Sequence, residues 1–208
     1  MNNNNPTHKK ITDYFRSNIF EAFSAYNGWK MIFLSRSPDA VSSEMAERYL
    51  EIQRYHPQFF CLAERAFLVN FVLLILHPFD RREDSFSLYK VNQRETEDFV
   101  ENNNVVIKKL KDLRHKVFAH KDIHTNASDY EIPSVIDLDN FFDKLIIFYN
   151  KLTSSVDDSS TIFSNAIEIK QQIDLLFMNL YRGETMRKKE IDIEWKWRKN
   201  NKKASDII

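Results

Sequence analysis

The sequence predicts an all-α protein, a bundle of about five to six long helices, and three observations carry that reading. Apolar residues recur at three- and four-residue steps through most of the 208 positions. Only 2 glycines and 5 prolines occur, too few for a hairpin-dense β architecture or a glycine-rich phosphate loop. Hydrophobic residues make up 43% and aromatics 13%, enough for a sizeable core, which excludes a wholly disordered chain.

The elements follow in order. Ile11, Phe15, Ile19, Phe20, Phe23, Tyr26 and Ile32 define a long amphipathic helix from about His8 to Ser35. Ser37-Pro38-Asp39 breaks the chain and starts a second helix, with Pro38 in its first turn. That helix ends at His56, because Pro57 disfavours helical geometry in the residue before it. A central helix follows and stops near Pro78. The charged stretch Asp80 to Ser85 leads into a short helical piece at Phe86 to Val91. A fourth long helix covers Glu95 to His120, with Val106, Leu110, Leu113 and Val117 as its buried seam. After a polar loop, Leu138, Phe141, Phe142, Leu145, Phe148 and Leu152 give a fifth. Ser154 to Ser160 reads as a linker, and Ile162, Ala166, Ile169, Ile173, Leu176 and Leu180 give the sixth. No long period repeats, which argues against a solenoid.

The ends differ from the middle. Residues 1–7, rich in asparagine, are expected to be disordered and hold no apolar core for a secretory signal. Residues 8–185 form the helical domain, and 186–208 a basic tail. In that tail Ile191, Ile193, Trp195 and Trp197 alternate with charged residues, a period of two that predicts a short non-helical or strand-like segment, able to pair with a second subunit, with a frayed continuation of the helix as the alternative. Tryptophans interleaved with basic residues also suit stacking on a single-stranded nucleic acid, set against a plainly solvated tail.

Lysine plus arginine, 30, balances aspartate plus glutamate, 30, so no global field draws the chain to nucleic acid or membrane. Any such attraction is local. The apolar run Phe59 to Leu76 approaches a membrane span in length but carries Glu64, Arg65 and Asn70, each expensive in lipid, and reads as the buried central helix of a soluble bundle. Cys61 is the only cysteine, which excludes an internal disulfide and a cysteine zinc cage and suits a reducing, cytoplasmic setting. Its place on an apolar helix face predicts core packing. His56 and His77, each before a proline, read as helix-end residues that meet the last carbonyls. His120 and His124 stand four apart without a third ligand, so no metal or other cofactor is expected.

The stretch Leu113 to Asp122 carries the chemistry. Between Val105 and Asp122 six residues are basic (Lys108, Lys109, Lys111, Arg114, Lys116, Lys121) and two are acidic. Lys108, Lys111, Lys116 and Lys121 are the candidate RNA contacts, through salt-sensitive attraction of phosphate. A histidine moves protons near neutrality, and an arginine holds a phosphate while negative charge builds on it. Together they are the minimum parts for metal-free RNA cleavage by internal attack of the 2′-hydroxyl. On an ideal helix Arg114 and His120 lie about 9 Å apart along the axis and about 120° apart around it. One intact helix therefore does not bring them onto one phosphate. Either the helix loosens near Ala119, or pairs from two chains meet at a symmetric contact, and the seam favours the second.

The run Arg114-x-Lys116-x-Phe118-Ala119-His120-x-Asp122, with the earlier Asp80-Arg81 and Asp84-Ser85-Phe86-Ser87-Leu88, resembles the HEPN superfamily, and within it the abortive-infection-type proteins of bacterial phage defence. Five residues separate Arg114 from His120, inside the four-to-six window of the family motif. The resemblance extends over roughly residues 10–180. It implies a HEPN-like all-α bundle, a homodimer with a composite active site, and metal-independent endoribonuclease activity leaving a cyclic phosphate and a 5′-hydroxyl. Arg114 would stabilise the phosphate and His120 would act as acid or base. His115 stands where the family often has asparagine or aspartate, and Asp122 would hold the His120 ring, both in supporting roles. The resemblance further implies a toxin or phage-defence effector, answering to an antitoxin or another defence protein. The alternative is a catalytically inactive HEPN module that binds RNA, nucleotide or a protein partner.

Overall fold

The computed structural model describes residues 5–115, 131–164 and 168–205, the last eight of these by backbone alone. Among them are seven α-helices, two 3-10 turns and no strand. The helices are α1 (Pro6–Leu34), α2 (Ser43–Tyr55), α3 (Pro57–Leu76), α4 (Gln93–Asn102), α5 (Asn104–Leu113), α6 (Val135–Asp157) and α7 (Glu168–Ser205). The all-α expectation is met.

Helix α1 is the axis of the bundle. It starts two residues earlier than its periodicity predicts, with the Asn5 side chain accepting from the Thr7 N–H and Pro6 in the first turn. It packs along α3 and touches α6 and α7. Phe15, Ile19, Ala22 and Tyr26 point inward and meet Phe71 and Ile75 of α3 and Phe142, Leu145 and Tyr149 of α6. Gly28 allows the close approach to α3: a methyl group there would lie 2.9 Å from the Phe67 ring. A second cluster joins Met31 and Ile32 to Tyr49, Ile52, Phe60, Ile173 and Phe177, with Phe60 and Phe177 stacked at 4.9 Å.

Buried polar groups tie the helices in register. The Tyr26 hydroxyl donates to Asp139 Oδ1 at 2.8 Å, and Lys30 Nζ reaches both Asp139 oxygens at 2.6 and 2.7 Å. Tyr149 donates to the Thr12 carbonyl at 2.6 Å. Burial pushes both phenols well above the ordinary tyrosine range, so they stay protonated donors.

Several boundaries differ from expectation. Helix α2 begins at Ser43, not Pro38: Ser42 caps it by accepting from the Met45 N–H, while residues 35–41 make tight turns. The fourth helix is two, α4 and α5, broken at Asn103, which carries φ −121° and ψ 20°. Its buried side chain donates to the Phe99 carbonyl at 2.8 Å, an alternative to continuing the helix. The expected linker at 154–160 is helical as far as Asp157, and Asp158, at φ 57°, turns the chain. The inward face of α7 runs through Ile173 and Phe177, with Leu176 exposed.

The expected strand-like tail is helix to Ser205. Its two-residue alternation resolves into two i,i+4 pairs, Ile191 with Trp195 and Ile193 with Trp197, and its Lys, Arg and Glu residues favour helix. Helix α3 is long and apolar enough to cross a membrane, yet Phe60, Phe71, Val72, Ile75 and Leu76 lie in the protein interior. Its opposite face is open: Phe59, Leu62 and Leu73 are 54%, 67% and 47% exposed. Cys61, expected in the core, is exposed on this helix, because the inward face is set by Phe60 and its neighbours.

Candidate functional site at the end of helix α5

Helix α5 is amphipathic. Ile107, Leu110 and Leu113 are buried, whereas the expected Val106 is only half-buried; Val117 lies outside the described residues. The seam keeps Leu110 and Leu113 and starts at Ile107 in place of Val106, where the helix begins afresh after Asn103. Lys108, Lys111 and His115, spaced at three and four, are exposed on the other side.

Arg114 caps the helix and is half-buried. Its N–H is shared between the Leu110 and Lys111 carbonyls, and residues 114 and 115 widen into a π turn, a distortion that often marks functional sites. The cation sits at the C-terminal end of α5, the negative end of a helix dipole. Arg114 Nη2 lies 3.1 Å from His115 Nε2. A guanidinium has no acceptor, so this ring nitrogen accepts and the proton resides on Nδ1. His115 thus holds the arginine fork through one of its donors.

The flanking charges are unequal. Lys109 is engaged by Glu131 at 2.7 Å, and each partner favours the other's charged form, Lys109 shifting up and Glu131 down. Lys108 and Lys111 make no ion pair among the described residues. Two lysines and an arginine are therefore available to an anion at this end of α5. His120, Asp122, Lys116 and Lys121 lie outside the described residues.

The stretch Asp80 to Leu88 is held by contacts of its own. Arg82 clamps Asp80 at 2.8 Å and holds its carboxyl below the usual range. Arg81 lies over the Tyr89 ring at 4.9 Å. Ser87, buried, caps the following 3-10 turn. These contacts shape a corner of the chain. The remaining histidines do not behave as expected either. His56 Nε2 lies 3.6 Å from Glu184, and His77 Nδ1 lies 3.0 Å from Asn18 Nδ2, so their rings bind side chains and not helix-end carbonyls. Glu64 pairs with Arg36 of the turn after α1, while Arg65 is exposed. No group of side chains suited to a metal occurs among the described residues.

Residues 88–173 match the family model of the AbiU2 HEPN proteins. This segment is a HEPN domain of the abortive-infection type. No curated protein and no solved structure matches the chain. The HEPN segment takes in α4, α5, α6 and the start of α7, and with them Arg114 and the sequence position of His120. The corner at Asp80 to Ser87 precedes it.

Proposed function

We propose that the chain is a cytoplasmic, metal-independent endoribonuclease acting as a homodimer in the manner of a toxin or phage-defence effector. The observation that carries this reading is the end of α5, where a half-buried guanidinium, oriented by its neighbouring imidazole, stands beside two exposed lysines inside a HEPN segment.

In the proposed reaction a base removes the proton from a ribose 2′-hydroxyl, and its oxygen attacks the adjacent phosphorus. The new O–P bond closes a cyclic phosphate, the bond to the 5′-oxygen breaks, and that oxygen takes a proton. His120 carries one of these proton transfers. Arg114 neutralises the charge that gathers on the phosphoryl oxygens. Lys108, Lys111, Lys116 and Lys121 hold the strand, with Asp122 orienting His120.

Self-association is supported by the open face of α3. Phe59, Leu62, Ala66, Val69 and Leu73 recur at steps of three and four, the spacing of a helix–helix seam, and α3 packs against α5. An antitoxin or a second defence protein is the further partner that this reading expects.

The test is cleavage of total RNA and single transfer RNAs by the purified chain with EDTA present. The reading expects products ending in a cyclic phosphate and their loss in Arg114→Ala and in His120→Ala. RNA left whole by the parent protein rejects cleavage in favour of a binding module; cleavage persisting in both variants rejects the residue assignment.

A further inference from the structure

Helix α7 does not stop where the bundle does. Its first half is held by Ile173 and Phe177 in the second cluster, and Arg187 and Lys188 contact Tyr55 and Glu51 of α2. Every residue from Met186 to Trp197 is exposed. At 1.5 Å per residue the whole helix is about 57 Å long, so its distal half stands off the body as an arm. Trp195 and Trp197 are 70% and 64% exposed, an unusual state for the largest apolar side chain. Charge along the arm is segregated. Glu190, Asp192 and Glu194 are confined to the near part, whereas Trp195 to Lys203 contains five cations (Lys196, Arg198, Lys199, Lys202, Lys203) and no carboxylate.

We infer that this arm binds single-stranded nucleic acid, its two tryptophans stacking on bases and its distal lysines and arginine neutralising phosphates. Stacking needs only an open aromatic face and tolerates any base, and clustered cations supply the backbone attraction. The helix geometry disfavours a membrane surface. Ile191 and Trp195 fall about 200° around the helix from Ile193 and Trp197, so no single apolar face exists to lie in lipid. The same arrangement is wrong for an apolar protein groove, which reads anchors along one side. The inference deepens the RNA-cleaving reading by giving it an element that holds substrate, and rests on it only for RNA as the natural strand.

The full-length chain is titrated with a twelve-nucleotide oligo(dT), which lacks the 2′-hydroxyl and stays intact whatever the fate of the nuclease proposal. Trp29 is buried, so the arm tryptophans report directly. Binding is expected to quench intrinsic fluorescence. The double variant Trp195→Ala/Trp197→Ala is expected to bind a fluorescein-labelled oligo(dT) at least tenfold more weakly by anisotropy. Lys196→Ala/Lys199→Ala is expected to lower the slope of log affinity against log salt by about 1.4. Circular dichroism checks that the variants keep their helices. The inference is overturned if the strand causes no quenching, or if the tryptophan double variant binds as the parent does. It is equally overturned if duplex DNA of the same length binds as tightly, or if phosphatidylserine vesicles, and not oligo(dT), shift the tryptophan emission.

Discussion

Arg114 and His115, neighbours in sequence, meet through their side chains, with Nη2 and Nε2 3.1 Å apart at the π turn after α5. The imidazole is an orienting group for the guanidinium. Arg114→Ala is expected to cut RNA cleavage by about 10²–10³-fold, the cost of removing one donor to a developing charge. His115→Ala is expected to cost about tenfold or less, and His115→Gln, which keeps an acceptor, is expected to recover most of that loss. Single-turnover rates measure all three.

In the proposed reading Lys108 and Lys111 act through charge alone. Their joint replacement by alanine is expected to weaken binding of single-stranded RNA regardless of sequence and to reduce the salt slope by about 1.4. Lys109→Ala is expected to change binding less, because Glu131 already engages that ammonium. Filter binding between 50 and 200 mM salt separates the two outcomes.

The two glycines respond in opposite directions. At Gly28 a new side chain meets the Phe67 ring, so Gly28→Val is expected to destabilise by about 1–3 kcal/mol through overpacking. At Gly183 nothing lies within 4 Å, and the residue is inside α7, so Gly183→Ala is expected to stabilise by about 0.5–1 kcal/mol. Thermal melts by circular dichroism report both.

Acid sensitivity comes partly from the cap of α6. Ser134 and Asp137 form a reciprocal box, and hydrogen bonds from the Ser134 hydroxyl and N–H hold the Asp137 carboxyl below its ordinary 3.8. A depressed carboxyl contributes stability above the unfolded value, and this is lost as pH falls from about that value through the folded one. Ser134→Ala removes the hydroxyl's bonds and keeps the backbone one, so the variant is expected to lose part of this stability at pH 7 and to show a smaller further loss between pH 5 and pH 3. Urea midpoints across that range measure the difference.

Leu62→Glu places a charge in the middle of the open α3 row. If that row joins two copies, the variant runs as a monomer in light scattering with unchanged helicity. A parent chain that is already monomeric removes the dimer from the proposal.

Much of the fold was legible because burial follows periodicity. Phe15, Ile19 and Tyr26 in α1, and Leu138, Phe142 and Leu145 in α6, occupy the core positions that their spacing assigns. Where reading failed, a local competitor was responsible. Asn103 interrupts a hydrophobic pattern that runs on across it, because its side chain takes the Phe99 carbonyl, and only three-dimensional context makes that bond win. Trp195 and Trp197 mimic strand alternation because two opposed helical stripes and one β face produce the same string. Cys61 was misplaced since α3 is apolar nearly all round, which leaves periodicity little to choose between its faces. At the site, the residue types at Arg114 and His115 were visible, but not their contact, which depends on the π turn at the helix end.

The lone sulfhydryl of Cys61, open to solvent next to Leu62, gives the native chain a single chemical handle. A nitroxide attached there needs no engineered cysteine, and a twofold assembly would carry one label per copy. Pulsed electron resonance would then read the span between the α3 helices of two molecules as one distance.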